Sequence, residues 1–122
     1  MKIILALIGA VVFFLMNVFA MNAAAADAGQ IEEGKQVYQY WCWNCHGEGP
    51  GKPGTQALAA KYKGSRPAIL DERTDLTPTL TKFFVRKGVS IMPYFRKTEI
   101  TDAQLDALAF YLARNAAKPD GK

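Results

Sequence analysis

An all-helical domain is the fold class this sequence predicts, on three observations. Apolar residues recur at helical spacing before residue 42 and after residue 104. Cap signals stand at Thr77 and Thr101, and no two-residue alternation appears before Cys42 or between His46 and Thr77. The 122 residues have room for one domain, and 50% apolar with 21% charged residues is the balance of a globular chain and not of a disordered one.

The N-terminal stretch reads as an address label. Ile3 to Ala20 is an 18-residue run whose only strongly polar member is Asn17. Lys2 supplies a positive start, Ile3 to Met16 an apolar region, and Ala23 to Ala26 small residues at the spacing a signal peptidase reads. The expectation is a signal peptide over residues 1–26 and a mature domain over 27–122, exported to the periplasm. An uncleaved anchor is the alternative, since 18 apolar residues is the lower edge of a bilayer span; a membrane contact is expected only in that case. Taking 26 residues from 122 leaves 96, and losing Lys2 lowers the net charge from +4 to +3. So small a charge lacks the concentrated basic face of a nucleic-acid binder.

The first helix of the domain is read from Ile31, Gly34, Tyr38 and Trp41, which share one face by spacings of three and four and lead directly into Cys42. There follow Cys42-Trp43-Asn44-Cys45-His46, holding both cysteines and the only histidine of the chain. This is the attachment pattern of c-type haem. Thiols three residues apart on a helical turn reach two vinyl groups along one haem edge, while the adjacent imidazole turns under the iron. A thioredoxin-like dithiol would follow a strand, and a structural zinc site would need a fourth soft ligand. Two cysteines are also too few for the disulfide framework of a small secreted domain.

With His46 in one axial position, the other cannot be histidine. Met1, Met16 and Met21 lie in the expected signal segment, so Met92 is the one thioether of the mature chain. The sixth position is therefore Met92 or open to solvent. Met92 is favoured because it sits in a loop, Gly88 to Pro93, where a core-filling methionine is less expected.

Between the motif and Thr77 the signals weaken. Gly47, Gly49, Pro50, Gly51, Pro53 and Gly54 describe a loop, Thr55 to Lys63 a short helix ended by Gly64, and Ser65 to Leu76 a connection. The third helix is expected to start at Pro78 behind a Thr77 cap, bury Leu80, Phe83 and Phe84, and stop at Gly88, with Arg86 and Lys87 near its C-terminal dipole. In the last helix Thr101 and Gln104 make a capping box, Ile100 and Leu105 a hydrophobic staple, and Leu105, Leu108, Ala109 and Leu112 the buried stripe.

From about Ile31 to Asn115 the chain resembles a class I c-type cytochrome, through Gly34, Tyr38, the Cys42 to Gly47 run and Met92-Pro93. The resemblance implies a small class I cytochrome c fold with helices wrapped around one haem c, held through two thioethers, with His46 and Met92 axial. It also implies that the first and last helices cross at Gly34 and either Tyr111 or Phe110, and that a proline carbonyl, of Pro50 or Pro53, orients the imidazole. The Val85 to Gly88, Met92 to Phe95 and Leu108 to Leu112 runs further resemble the cytochrome subunit of p-cresol methylhydroxylase or eugenol hydroxylase flavocytochromes.

Axial His and Met leave no open coordination position, so the function expected is one-electron transfer rather than catalysis. Ser65 and Ser90 lie in no nucleophile motif and no phosphate loop occurs. The partner expected is a redox protein, in one reading a flavoprotein dehydrogenase acting on a phenol. The alternatives are a freestanding shuttle between respiratory complexes and a haem enzyme or sensor with an open distal site. The ten basic residues from Lys52 to Lys97 face only Asp71, Glu72 and Asp75 in that stretch. They form either a solvated surface or a collar that steers an acidic partner. Tyr94 and Phe95 are a docking spot or a wall of the haem pocket.

Overall fold

Residues 27–116 are described by a computed structural model; the expected signal segment lies outside them. The first helix, α1, covers residues 27–37 and runs without interruption into a π-helical turn, Tyr38–Cys42, and a closing α-helical turn, Trp43–His46. Three more helices follow: α2 over Pro53–Tyr62, α3 over Pro78–Lys87 and α4 over Asp102–Ala113. A single 3-10 turn, Leu70–Glu72, interrupts the connection between α2 and α3. Among the described residues the one β-type pairing is an isolated bridge between Val89 and Met92. The expected all-α class is what the chain adopts.

α4 is the centre of the core. Leu108 and Ile100 are fully buried, and Leu105, Ala107, Ala109, Tyr111 and Leu112 are nearly so. The capping box forms as the residues require. Gln104 N–H donates to Thr101 Oγ1 at 3.2 Å while the Thr101 amide donates to Gln104 Oε1 at 3.0 Å. Thr101→Ala is expected to cost about 1 kcal/mol in urea unfolding; an unchanged midpoint would show that the tertiary contacts of α4 fix its start without the cap.

α1 crosses α4 at Gly34, where an added Cβ would lie 2.6 Å from Tyr111 Cβ and closer still to the Ala107 carbonyl. Of the two aromatics expected at this crossing, Tyr111 is the one that makes it. Its ring also packs on Tyr38 at 5.9 Å between centroids. Helix α3 has the expected bounds, with Thr77 Oγ1 accepting from Leu80 N–H and Gly88 at its C-terminal end.

Two readings of burial need correction. Thr81 and Val85, not Leu80, Phe83 and Phe84, are the buried residues of α3. Leu80 and Phe84 instead face a cavity, and Phe83 is turned outward, 55% exposed. Helix α2 begins at Pro53, two residues before the expected start, because proline at a first helical position gives up an amide that has no partner there anyway. It ends at Tyr62, where Lys63 takes a left-handed conformation one residue before Gly64 does.

Candidate functional site

The end of α1, α2, α3, the loop after it and α4 together line an apolar, partly open cavity of about 170 Å³. Cys42, His46 and Met92 all line it, although Met92 lies 46 residues beyond the histidine in sequence. Cys45 does not; it is exposed, whereas Cys42 is buried, and no disulfide joins them. Burial, and then the neighbouring Cys45, push the Cys42 thiol up to about 12.

The local backbone explains how the motif is presented. In the turn Tyr38–Cys42 the hydrogen bonds skip one residue more than in an α-helix, and the Trp43 amide donates back to the Tyr38 carbonyl. Such a turn widens the helix at the point where the first cysteine must leave the α1 face and meet the cavity. The histidine turn is then tied at two carbonyls. Tyr38 O–H donates to the His46 carbonyl at 3.1 Å, and Thr55 Oγ1 donates to the Gly47 carbonyl at 2.9 Å. Neither role was legible beforehand, because both join positions eight residues apart across a turn of irregular geometry.

α2 lies directly against the imidazole. A Cβ on Gly54 would come within 2.6 Å of His46 Cε1, so glycine is what lets the helix start so close. Burial pushes the imidazole below its ordinary range, which keeps it neutral and able to donate a lone pair. His46 Nδ1 is buried with no hydrogen-bond partner among the described residues. Neither Pro50 nor Pro53 therefore supplies the orienting carbonyl that the resemblance implied. Pro53 opens α2, and the carbonyl of a first-turn residue is directed into its own helix. The backbone of the histidine turn is held by the two anchored carbonyls, and the ring lies close against Gly54.

Met92 is held by backbone. Val89 N–H donates to the Met92 carbonyl at 3.1 Å and Met92 N–H to the Val89 carbonyl at 2.9 Å, closing a tight turn through Ser90, whose φ is 53°. Phe95 N–H donates to the Val85 carbonyl at 2.8 Å, and Arg86 Nη1 to the Phe95 carbonyl at 3.0 Å. The turn can press back on α3 because Gly88 has φ +67° and no side chain; a Cβ there would lie 2.7 Å from the Met92 carbonyl oxygen. Gly88→Ala is expected to lower stability by about 1–3 kcal/mol, read as a fall in the urea midpoint. A midpoint equal to wild type would contradict this account of the loop.

The two aromatics beside Met92 divide, and neither lines the cavity. Tyr94 is 63% exposed, while Phe95 packs edge-on against Trp41 at 5.7 Å between ring centroids. Of the basic residues from Lys52 to Lys97, Arg66, Lys82, Arg86, Arg96 and Lys97 pair with acids, several of them on α4 and so outside the stretch the sequence count considered. Lys52 stacks over the Trp43 ring at 3.2 Å. Only four carboxylates, Asp75, Glu99, Asp102 and Asp106, take up the ion pairs, so part of the basic stretch is compensated locally. Two basic residues line the cavity, Lys61 and Arg73, and the Arg73 side chain, paired with Asp75, is only 3% exposed. Sequence reading placed Arg73 in a connecting loop, and nothing in its neighbours signalled burial.

The comparisons with known proteins bear on this site. Residues 29–112 match the family described as "Cytochrome C oxidase, cbb3-type, subunit III". The chain belongs to this cytochrome c family. Membership brings with it a covalently bound haem c and a role in electron transfer. A curated relative, the "Cbb3-type cytochrome c oxidase subunit CcoP" of Azospirillum sp. (strain B510), is 32% identical over 99 residues, covering 78% of this chain and 32% of that protein. The chain thus spans about a third of the relative's length. No solved structure matches it. The cavity suits a cytochrome: it is apolar where a porphyrin face needs it, and an imidazole, a thiol and a thioether share its lining.

Proposed function

We propose that the chain carries a single haem c, bound through Cys42 and Cys45, with His46 and Met92 as axial ligands, and that it passes single electrons to and from a protein partner in the periplasm. The observation that carries this reading is the convergence of Cys42, His46 and Met92 on one apolar cavity. One CxxCH sequence with two cysteines in all gives one attachment site. Bound there, a haem would supply a one-electron couple, and ligation by a methionine together with a histidine would raise its potential.

The protein's own residues do the remainder. Val85, Leu108 and Leu112 keep water from the cavity wall, Tyr38 and Thr55 hold the histidine turn, and the Val89 turn fixes Met92. Cys45, exposed beside Trp43, lies at the surface, so the thioether edge is the side open to a partner. Export through residues 1–26 fits the periplasmic assembly of c-type cytochromes. Among the described residues no helix is long and apolar enough to cross a membrane.

For the partner, the family and its relative favour the terminal-oxidase side of a respiratory chain, with this chain as a haem-bearing electron donor or relay. The flavoprotein dehydrogenase suggested by the Val85 to Leu112 runs has no counterpart in these matches. Purification from the host at low salt separates the two. Stoichiometric recovery with an oxidase supports the relay, whereas stoichiometric flavin overturns it. The coordination is tested by carbon monoxide: the reduced protein is expected not to bind it at neutral pH, and ready binding would mean an open iron site.

A further inference from the structure

Cations converge at one end of the cavity in excess of the acids that could balance them. Lys61 and Arg73 both line the cavity, and no carboxylate does. Both, with Arg66, surround the Tyr62 ring: Lys61 Nζ lies 5.4 Å, the Arg66 guanidinium carbon 5.2 Å and that of Arg73 4.7 Å from its centroid. The one acid among them, Asp75, is shared, accepting from Arg73 Nε and Nη2 and from Arg66 Nη1. The nearby Asp71 is engaged by Arg114 instead. Three positive charges against one negative leave an excess of two.

Arg73 is the informative member. A guanidinium with 3% of its side chain exposed is costly to bury, and Asp75, itself 32% exposed and drawn also to Arg66, compensates it only in part. Two hydrogen bonds to Asp75 use two of the five N–H donors of the fork, leaving others for a second planar acceptor. Haem carries two carboxylates on the edge remote from its vinyl groups, and the vinyl edge belongs to the cysteines.

We propose that the Tyr62 end of the cavity is a carboxylate subsite, in which Arg73 and Lys61 hold the two haem propionates and Asp75 positions the Arg73 fork. The inference rests on the haem reading above. It explains why an otherwise apolar cavity has a buried arginine in its wall, and it fixes which edge of the haem turns inward. Paired in this way, the propionates stay ionised and their charge is screened from the iron by the adjacent cations.

The test is the midpoint potential of the purified holoprotein. Arg73→Gln leaves a propionate uncompensated, which favours the ferric state, so the oxidised-to-reduced ratio at a fixed applied potential is expected to rise about tenfold, equal to a fall of about 59 mV for one electron. Arg73→Lys is expected to restore most of the wild-type value, and Lys61→Gln to shift it in the same direction by less, since Lys61 is exposed. A lowered melting temperature with an unmoved potential would make Arg73 merely structural and overturn the proposal. The wild type gives an independent check that needs no variant. With no cavity carboxylate and the single histidine on the iron, the propionates are the groups that could titrate there, so the potential is expected to be flat from about pH 5 to 8. A slope in that range contradicts the pairing. Absence of covalent haem from the wild type would instead defeat the haem reading, and is seen first, in the absorption spectrum.

Discussion

Met92→Ala is expected to leave the haem covalently attached while abolishing the methionine-ligated ferric spectrum. The thioethers at Cys42 and Cys45 do not depend on the sixth ligand, so haem staining of the denatured chain should be unchanged. Met92 is the only methionine between residues 27 and 122, and His46 the only histidine, so no second thioether or imidazole is available to replace it. The midpoint potential should then fall by on the order of 0.2 V, a fraction of the roughly 0.8 V over which axial ligands set haem potentials. Reduced protein should bind carbon monoxide, which the wild type should not. A variant with the wild-type spectrum and potential would remove Met92 from the iron.

The second large effect belongs to the helix crossing. Gly34→Val places branched carbon where even a single Cβ would stand 2.6 Å from Tyr111 Cβ and from the Ala107 carbonyl carbon. Two of those neighbouring atoms are backbone of α4, in a segment where Ala107, Leu108 and Ala109 are almost wholly buried, and cannot turn aside as a flexible side chain would. Overpacking by a methylene or two costs about 1–3 kcal/mol where side chains can adjust. Here about 3 kcal/mol or more is expected, as loss of cooperative unfolding or of recoverable protein. Gly29→Ala is the contrasting control. No atom lies within 4 Å of its added Cβ, and the position is helical, so stability should be equal or slightly higher. Equal tolerance at both glycines would mean that α1 does not pack on α4 at Gly34.

The contrast between these glycines shows what was legible in the sequence. Gly34 was placed at the crossing through a resemblance, and both capped helices, α3 and α4, follow from local chemistry that acts over four residues: a threonine hydroxyl, a proline, a terminal glycine. Cys42 and His46 were found through the CxxCH pattern, and Met92 because it is the one methionine after residue 26. What escaped depends on distance. Gly54 looked like a loop residue, yet its function is to let α2 touch an imidazole eight positions back. Arg73 has the same composition signal as any surface arginine, and only the folded connection between α2 and α3 places it in a cavity wall. The charge count overstated the basic excess because Asp102 and Asp106, which pair with Lys82, Arg86 and Lys97, lie on α4, beyond the window in which charges were compared. Leu80 and Phe84 were read as core since they are apolar at helical spacing; a cavity wall and a core have the same pattern, and only the packing separates them.

The central claim is one covalent haem on this chain, and intact mass spectrometry of the denatured holoprotein tests it most directly. The expected result is a single species at the mass of the processed polypeptide plus one haem, collapsing to the unmodified mass in Cys42→Ala/Cys45→Ala. A wild-type chain that appears at its unmodified mass, after expression with the haem-attachment machinery of its host, would contradict the account.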